Sequence, residues 1–267
     1  MLAVTKAHAY GNDFLLVPGA DAPAALPALA RAMCDRHQGI GGDGLIVYGL
    51  RECGATMRLL NADGSWSELS GNGLRCLAAL VARAQQLRPG MAVQVETEAG
   101  CKALDFLAHD GERYEFRAAM GAPAGLRQVQ IPVLGETVTA SVLTMGNPQC
   151  IVLGALPDAA RFTALGPALA THPMFPAGTN VEFVEVAAPD RIRILIWERG
   201  VGPTSSSGTG SSASAVAAAA HGGASRAIDV VAPGGMQHVE WRDDGVYLTG
   251  WAEIVLDGAW LGAGGAH

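Results

Sequence analysis

The sequence predicts an α+β chain built from two similar halves, each a curved sheet around one central helix. Three observations predict it. Ser70-Gly-Asn-Gly returns as Ser207-Gly-Thr-Gly, and Gly11-Asn12 returns as Gly146-Asn147, at spacings of 137 and 135 residues in a chain of 267, so the motif order repeats over about half the length. Much of the chain alternates apolar residues with period two, the mark of half-buried strands. Helical spacing is rarer, and it follows each Ser-Gly-x-Gly.

In chain order, Leu74, Leu77, Ala78 and Val81 fall at i, i+3, i+4 and i+7 after the first motif and predict one helix face. Val93, Val95 and Thr97 predict a strand, as do Val181, Phe183 and Val184, and Ile192, Ile194 and Ile196. Ala213 to Ala220, nearly all Ala, predicts the second helix by propensity. His238-Val-Glu-Trp and Val246-Tyr-Leu-Thr flank Arg242-Asp-Asp-Gly245 and read as a hairpin. We place the halves at residues 1–118, carrying Ser70, and 119–267, carrying Ser207, with the last residues packing back on the first half.

Composition narrows the function classes. A chain that is 49% hydrophobic and 16% charged folds rather than staying disordered. Its 18 Lys and Arg against 25 Asp and Glu give a net charge of -7, and the basic residues are scattered, so no nucleic-acid partner is expected. No stretch reaches the roughly 18 apolar residues of a membrane span, and the N-terminus lacks a basic segment before an apolar run. A soluble, cytoplasmic protein without a membrane partner is the expectation. The five Cys (Cys34, Cys53, Cys76, Cys101 and Cys150) are widely spaced and form no Cys-x-x-Cys pair. We expect buried free thiols, neither disulfides nor a metal site.

Gly39-Ile-Gly-Gly-Asp-Gly44 matches GxGxxG, but polar Asp35-Arg-His-Gln38 precedes it and extended Leu45-Ile-Val-Tyr48 follows. A dinucleotide loop needs a strand before and a helix after, so none is expected here. The Ser-Gly-x-Gly motifs carry more chemistry. Each would start a helix, whose N-terminus offers unpaired N–H donors and about half a positive charge, and glycine admits a ligand close to the backbone. Two such ends suit a small anion such as an amino acid's carboxylate. The plainer alternative is that Ser70 and Ser207 are N-caps and nothing more.

Several segments together resemble one family, the diaminopimelate epimerases: HAYGNDFLLV, CDRHQGIGGDGLIVY, LNADGSWSELSGNGLRC, MGNPQC, GTNVEFVEV and IWERGVGPTSSSGTGSSASAVAA, in family order from residue 8 to residue 218. The resemblance implies two similar halves, each a barrel-like sheet around a central helix. It also implies inversion of the α-carbon of LL-diaminopimelate to the meso form, without cofactor, in lysine and peptidoglycan precursor synthesis. The implied partner is a small zwitterionic amino acid; nothing in the sequence decides between a monomer and a homodimer. By motif, Asn12, Asn61, Asn147, Asn180, Glu198 and Arg199 resemble the substrate-binding side chains. Gly71, Asn72, Gly208 and Thr209 resemble the helix-end residues whose amides hold the reacting carboxylate.

The departures bear on mechanism. The family carries Cys-Gly-Asn-Gly and Cys-Gly-Thr-Gly where this chain has Ser70 and Ser207, so both catalytic positions are serine. The family's Gly-Asn-Pro-His is Gly-Asn-Pro-Gln149 here, which puts Gln149, with Glu198, where the family tunes the pKa of its acid/base pair. A laboratory exchange of two cysteines would not explain Gln149 or the serine run around Ser207, so we take the pair as native. A thiol ionises near 8.5, whereas an alcohol lies nearer the value of about 15.7 for water. Serine acts as a base when a neighbour takes its proton; Glu198 is the first candidate, ahead of His37 and His172. Two other readings stand beside the epimerase: a non-catalytic amino-acid-binding homologue, and an isomerase of the same fold with another substrate, as in proline racemase-like and phenazine-pathway enzymes.

Overall fold

The computed structural model describes residues 1–262. They divide into two compact units, one of Met1–Arg117 with the segment from Gly250 onward, the other of Ala118–Thr249. The first runs β1 (Leu2–Ala9), β2 (Asn12–Pro18), α1 (Leu26–Cys34), β3 (Gly44–Arg51), β4 (Gly54–Asn61), β5 (Trp66–Ser67), α2 (Gly71–Ala84), β6 (Ala92–Thr97), β7 (Gly100–Asp110) and the start of β8 (Arg113–Gly121). The second runs β9 (Ala124–Val133), β10 (Glu136–Thr144), β11 (Pro148–Leu153), α3 (Ala159–Ala170), β12 (Asn180–Ala188), β13 (Arg191–Glu198), β14 (Gly202–Thr204), α4 (Gly208–His221), β15 (Ala227–Ala232), β16 (Gly235–Arg242) and the start of β17 (Gly245–Trp260).

The strand pairings repeat. In the first unit β1 and β2 are antiparallel, β2 and β3 parallel, β3 and β4 antiparallel, β4 and β6 parallel, and β6 and β7 antiparallel. The second unit has the same series over β10, β11, β12, β13, β15 and β16. Parallel neighbours need a crossover, and the helices supply it: α1 and α3 inside the first parallel step, α2 and α4 inside the second. Each half is thus a barrel-like curved sheet around a central helix, as expected.

Both central helices are buried almost throughout, α2 from Asn72 to Ala82 and α4 from Gly210 to Ala218. Ala213, Ala215, Val216, Ala217 and Ala218 pack on Ile151, Val184, Ile192, Ile194 and Ile196. A helix surrounded by sheet must be apolar on every side, and small residues let the strands close around it. Gly73 serves the same end in α2: a Cβ there would press on Ile46 and Met57 at 3.2 and 3.4 Å.

The sequence reading of one helix per half is incomplete, because α1 and α3 are also present. Both lack the signals that made α2 and α4 legible. Nine-residue α1 begins on an uncapped Ala25 with Pro27 in its first turn. Helix α3 has a cap, with Asp158 Oδ1 accepting from Arg161 N at 2.8 Å, but Gly166 and Pro167 interrupt it. Gly166 is required there, since a Cβ would lie 2.6 Å from the Trp197 ring. The hairpin forms with Arg242 pairing Gly245 directly. The cysteines also need correction: Cys34, Cys76 and Cys150 are buried free thiols, but Cys53 is half-buried and Cys101, near the start of β7, is exposed. No helix among the described residues is long and apolar enough to cross a membrane.

Candidate active site

In each unit the strand directions collect polar side chains at one end of the sheet. Parallel strands β2 and β3 both begin where antiparallel β4 ends, so Asn12, Asp43 and Asn61 fall together, with Asp43 N donating to Asp13 O at 2.8 Å and Ala62 N to Asp43 O at 3.1 Å. Likewise β11 and β12 begin where β13 ends. That gathers Asn147, Gln149, Asn180, Glu198 and Arg199. The central helix of each unit then starts a few residues later in the chain.

Ser70 caps α2. Its backbone is extended (φ -128, ψ 123) and its Oγ accepts from Gly73 N at 3.1 Å. Leu74 N is bonded to Ser70 O at 2.8 Å, so the amides of Gly71 and Asn72 precede the ladder and lack intrahelical acceptors. Asn72 is buried and oriented at both ends: Oδ1 accepts from Arg75 Nη1 at 2.7 Å, and Nδ2 donates to Asn12 Oδ1 at 3.3 Å. Asn12 in turn donates to Asp43 Oδ2 at 2.8 Å. The exposed Asn61 is tied to its own turn, donating to Ser65 Oγ at 2.9 Å.

Behind Asn12, Asp13 is clamped by Arg36 at 2.7 Å and Lys6 at 2.9 Å. Burial opposes its ionisation, but those two cations outweigh burial and hold it at about 2. Asp13→Asn is therefore expected to lower stability at neutral pH by about 2 kcal/mol. A lowered carboxyl stabilises above its unfolded value and stops doing so as pH falls through the folded one. Urea midpoints of the two proteins should converge towards pH 2; a constant gap would refute the clamp.

Ser207 caps α4 in the same way, with φ -144 and ψ 122 and Oγ accepting from Gly210 N at 3.1 Å. Thr209 Oγ1 lies 3.5 Å from Ser207 Oγ. Asn180 Oδ1 accepts from Arg199 N at 2.9 Å, and the Arg199 guanidinium donates to Ala177 O at 2.7 Å. Gln149 is buried beside Asn147, its Nε2 donating to Asn147 Oδ1 at 2.7 Å. Burial pushes the Glu198 carboxyl above its ordinary value.

A family model for diaminopimelate epimerase matches residues 4–124 and 141–255. The chain belongs to the diaminopimelate epimerase family. Among curated relatives, the diaminopimelate epimerase of Desulforudis audaxviator is 44% identical over 97% of this chain and 99% of its own length. That of Desulfitobacterium hafniense is 39% identical over 97% and 98%. A predicted epimerase from Pseudomonas aeruginosa has a solved structure that superposes with a TM-score of 0.71 at 14% identity, covering 98% of this chain and 100% of that one; this likeness shows the fold. By family, the chain is an isomerase of the epimerase class.

Two cysteines near the motifs of this diaminopimelate epimerase family member are core residues. Cys76 is fully buried in α2 and Cys150 in β11; burial raises both thiols, Cys150 to about 12. A buried thiol so raised stays protonated at neutral pH and offers no thiolate to act as base. Of the two histidines weighed as proton acceptors, His172 is engaged elsewhere, contacting Pro132 O and Met174 N through its two ring nitrogens; His37 sits exposed in the turn after α1, where its backbone N–H donates to Asp35 Oδ1 at 2.7 Å.

Besides Asp13, two buried charged residues escaped the sequence reading. Arg75 is the single charge in the run from Gly71 to Ala82, and it is fully buried with its guanidinium 5.9 Å from the Tyr10 ring centre. Its signal was a cation in an otherwise apolar helix. Glu182 has no exposed surface at all. Strand parity could have found it, because Asn180, Glu182 and Val184 share a face, and Val184 packs in the α4 core.

Proposed function

We propose that this chain inverts the α-carbon of diaminopimelate between the LL and meso forms without a cofactor, in the cytoplasm. Ser70 and Ser207 are the acid/base pair of that inversion. The observation that carries the reading is the doubled arrangement itself: two helices, each capped by a serine hydroxyl and opened by Gly-x-Gly, each beside a cluster of asparagines at strand ends. Free first-turn amides at Gly71, Asn72, Gly208 and Thr209 suit a carboxylate, and they stabilise it further as enolate charge develops. Asn12, Asn61, Asn147, Asn180, Glu198 and Arg199 are assigned to the ammonium groups and the distal carboxylate, and Gln149 with Glu198 to tuning the Ser207 side.

Incubation with LL-diaminopimelate in heavy water tests the reading. Deuterium is expected to enter the α-position, read as loss of the α-proton signal by NMR. Demonstrated binding with no exchange over days would overturn it in favour of a non-catalytic amino-acid-binding homologue.

A further inference from the structure

Glu182 is a buried acid that the roles above leave unused. It lies on β12, two residues beyond Asn180, facing the first turn of α4. A Cβ built on Gly210 would collide with Glu182 Oε1 and lie 3.1 Å from Ser207 Oγ. The carboxyl and the serine hydroxyl therefore border one point, and glycine at position 210 keeps it open. We propose that Glu182 is the residue that positions the proton for Ser207, taking it from and returning it to the Ser207 hydroxyl across the space beside Gly210. This rests on the epimerase reading of the site.

The step balances without a further reagent. When Ser207 acts as base, the substrate's Cα–H bond breaks and its electron pair passes into the carboxylate as an enolate. The proton goes to Ser207 Oγ while the hydroxyl's own proton moves to the Glu182 carboxylate. When Ser207 acts as acid, neutral Glu182 returns a proton to Oγ as the hydroxyl proton is delivered to Cα. An unassisted alcohol, which ionises far above neutrality, is otherwise a weak partner in either direction.

The surroundings allow Glu182 both states. Burial raises its carboxyl well above the ordinary value, and the charge on Glu198 raises it further. Glu198 is closer to solvent and ionises first, so the second carboxyl of the pair holds its proton longer. The titratable groups around it are Glu198 on β13 and Cys150 on β11; the first turn of α4, Gly208 to Ser211, carries none. Gln149 can serve either state. With its Nε2 on Asn147 Oδ1, its Oε1 faces Glu182 and accepts from the neutral acid. Turned over together with the Asn147 amide, which then donates to it at 2.7 Å, Gln149 gives Nε2 to Glu182 Oε1 and Oε2 at 3.1 and 3.2 Å, and its Oε1 accepts from Thr209 Oγ1 at 3.3 Å and Asn180 Nδ2 at 3.2 Å. An amide offers a donor and an acceptor by a half-turn, with no charge of its own.

The test compares wild type with Glu182→Gln, measuring α-deuterium exchange from LL- and from meso-diaminopimelate across pH 5 to 9, together with diaminopimelate affinity. The variant is expected to lose about 100-fold or more in exchange, the size of one acid/base partner, with affinity within about threefold. Wild type should show one pH limb that rises where Ser207 is the base and one that falls where it is the acid. Both limbs should vanish in the variant, which a merely structural role for Glu182 would not produce. Glu182→Asp, which keeps an acid, should restore the limbs in part. Exchange in Glu182→Gln within about threefold of wild type overturns the proposal and leaves the epimerase standing. A wild type that binds and never exchanges overturns both. Should Glu182→Gln not fold, a wild-type profile without a limb above the ordinary carboxylate range overturns the proposal by itself.

Discussion

Ser70→Cys combined with Ser207→Cys is expected to raise α-proton exchange with diaminopimelate about a thousandfold while lowering stability. The two effects have separate causes. An alcohol ionises several units above a thiol, whose ordinary value is near 8.5; if about three of those units reach the barrier, the rate changes by about a thousandfold. Each thiolate would also inherit a helix N-terminus, which favours it over the thiol. Against this, each serine Oγ now accepts an amide N–H at 3.1 Å, from Gly73 and from Gly210. Sulfur is a poorer acceptor, so two caps weaken at about 0.5–1 kcal/mol apiece. Single substitutions should gain little in net inversion, because the step left to the remaining serine then limits turnover. Exchange read by NMR and urea midpoints check both halves. A double variant that is inert even with Gln149→His added, yet folds and binds diaminopimelate, would show that Ser70 and Ser207 are not the reacting positions.

Much of this site was legible because its determinants are local. A serine before Gly-x-Gly and an apolar run is an N-cap wherever the chain goes, so both helix starts could be placed from sequence. Strand ends are less local. That Asn12 meets Asn72 depends on how distant elements come together, and no local motif states this; the family resemblance named both residues for the site. Glu182 was hidden by its neighbours. Val181, Phe183 and Val184 read as one apolar strand signal, but they lie on two faces: Val181 and Phe183 pack towards α3, Val184 towards α4. A strand buried on both faces loses the alternation that would expose an inward acid. Helix α3 fell below notice because Gly166 answers to Trp197 in tertiary structure, against local propensity.

Glu182→Gln is also expected to change how stability depends on pH, a second effect with the opposite sign to its loss of activity. Burial lets the folded state hold the Glu182 proton more tightly than the unfolded chain, where a glutamate titrates near 4.3. A carboxyl raised on folding gives its full stabilisation below the unfolded value and loses it as pH rises towards the folded one. Within that window wild type should lose up to about 1.4 kcal/mol per pH unit for this one proton. Glu198, raised by its own burial, adds a slope of the same sign in both proteins. The lowered Asp13 stabilises by a constant amount above about pH 4, so its pH dependence leaves the range from 5 to 8 clear. Glutamine keeps the shape of the acid and a donor for its neighbours but never ionises. The variant should therefore gain on wild type as pH rises from 5 to 8, and urea midpoints at each pH will show it. Equal slopes would mean that Glu182 ionises in the folded protein as readily as in the unfolded chain. A gap that widens with pH would place a cost on keeping the acid where it is, borne in stability and returned in the rate at Ser207.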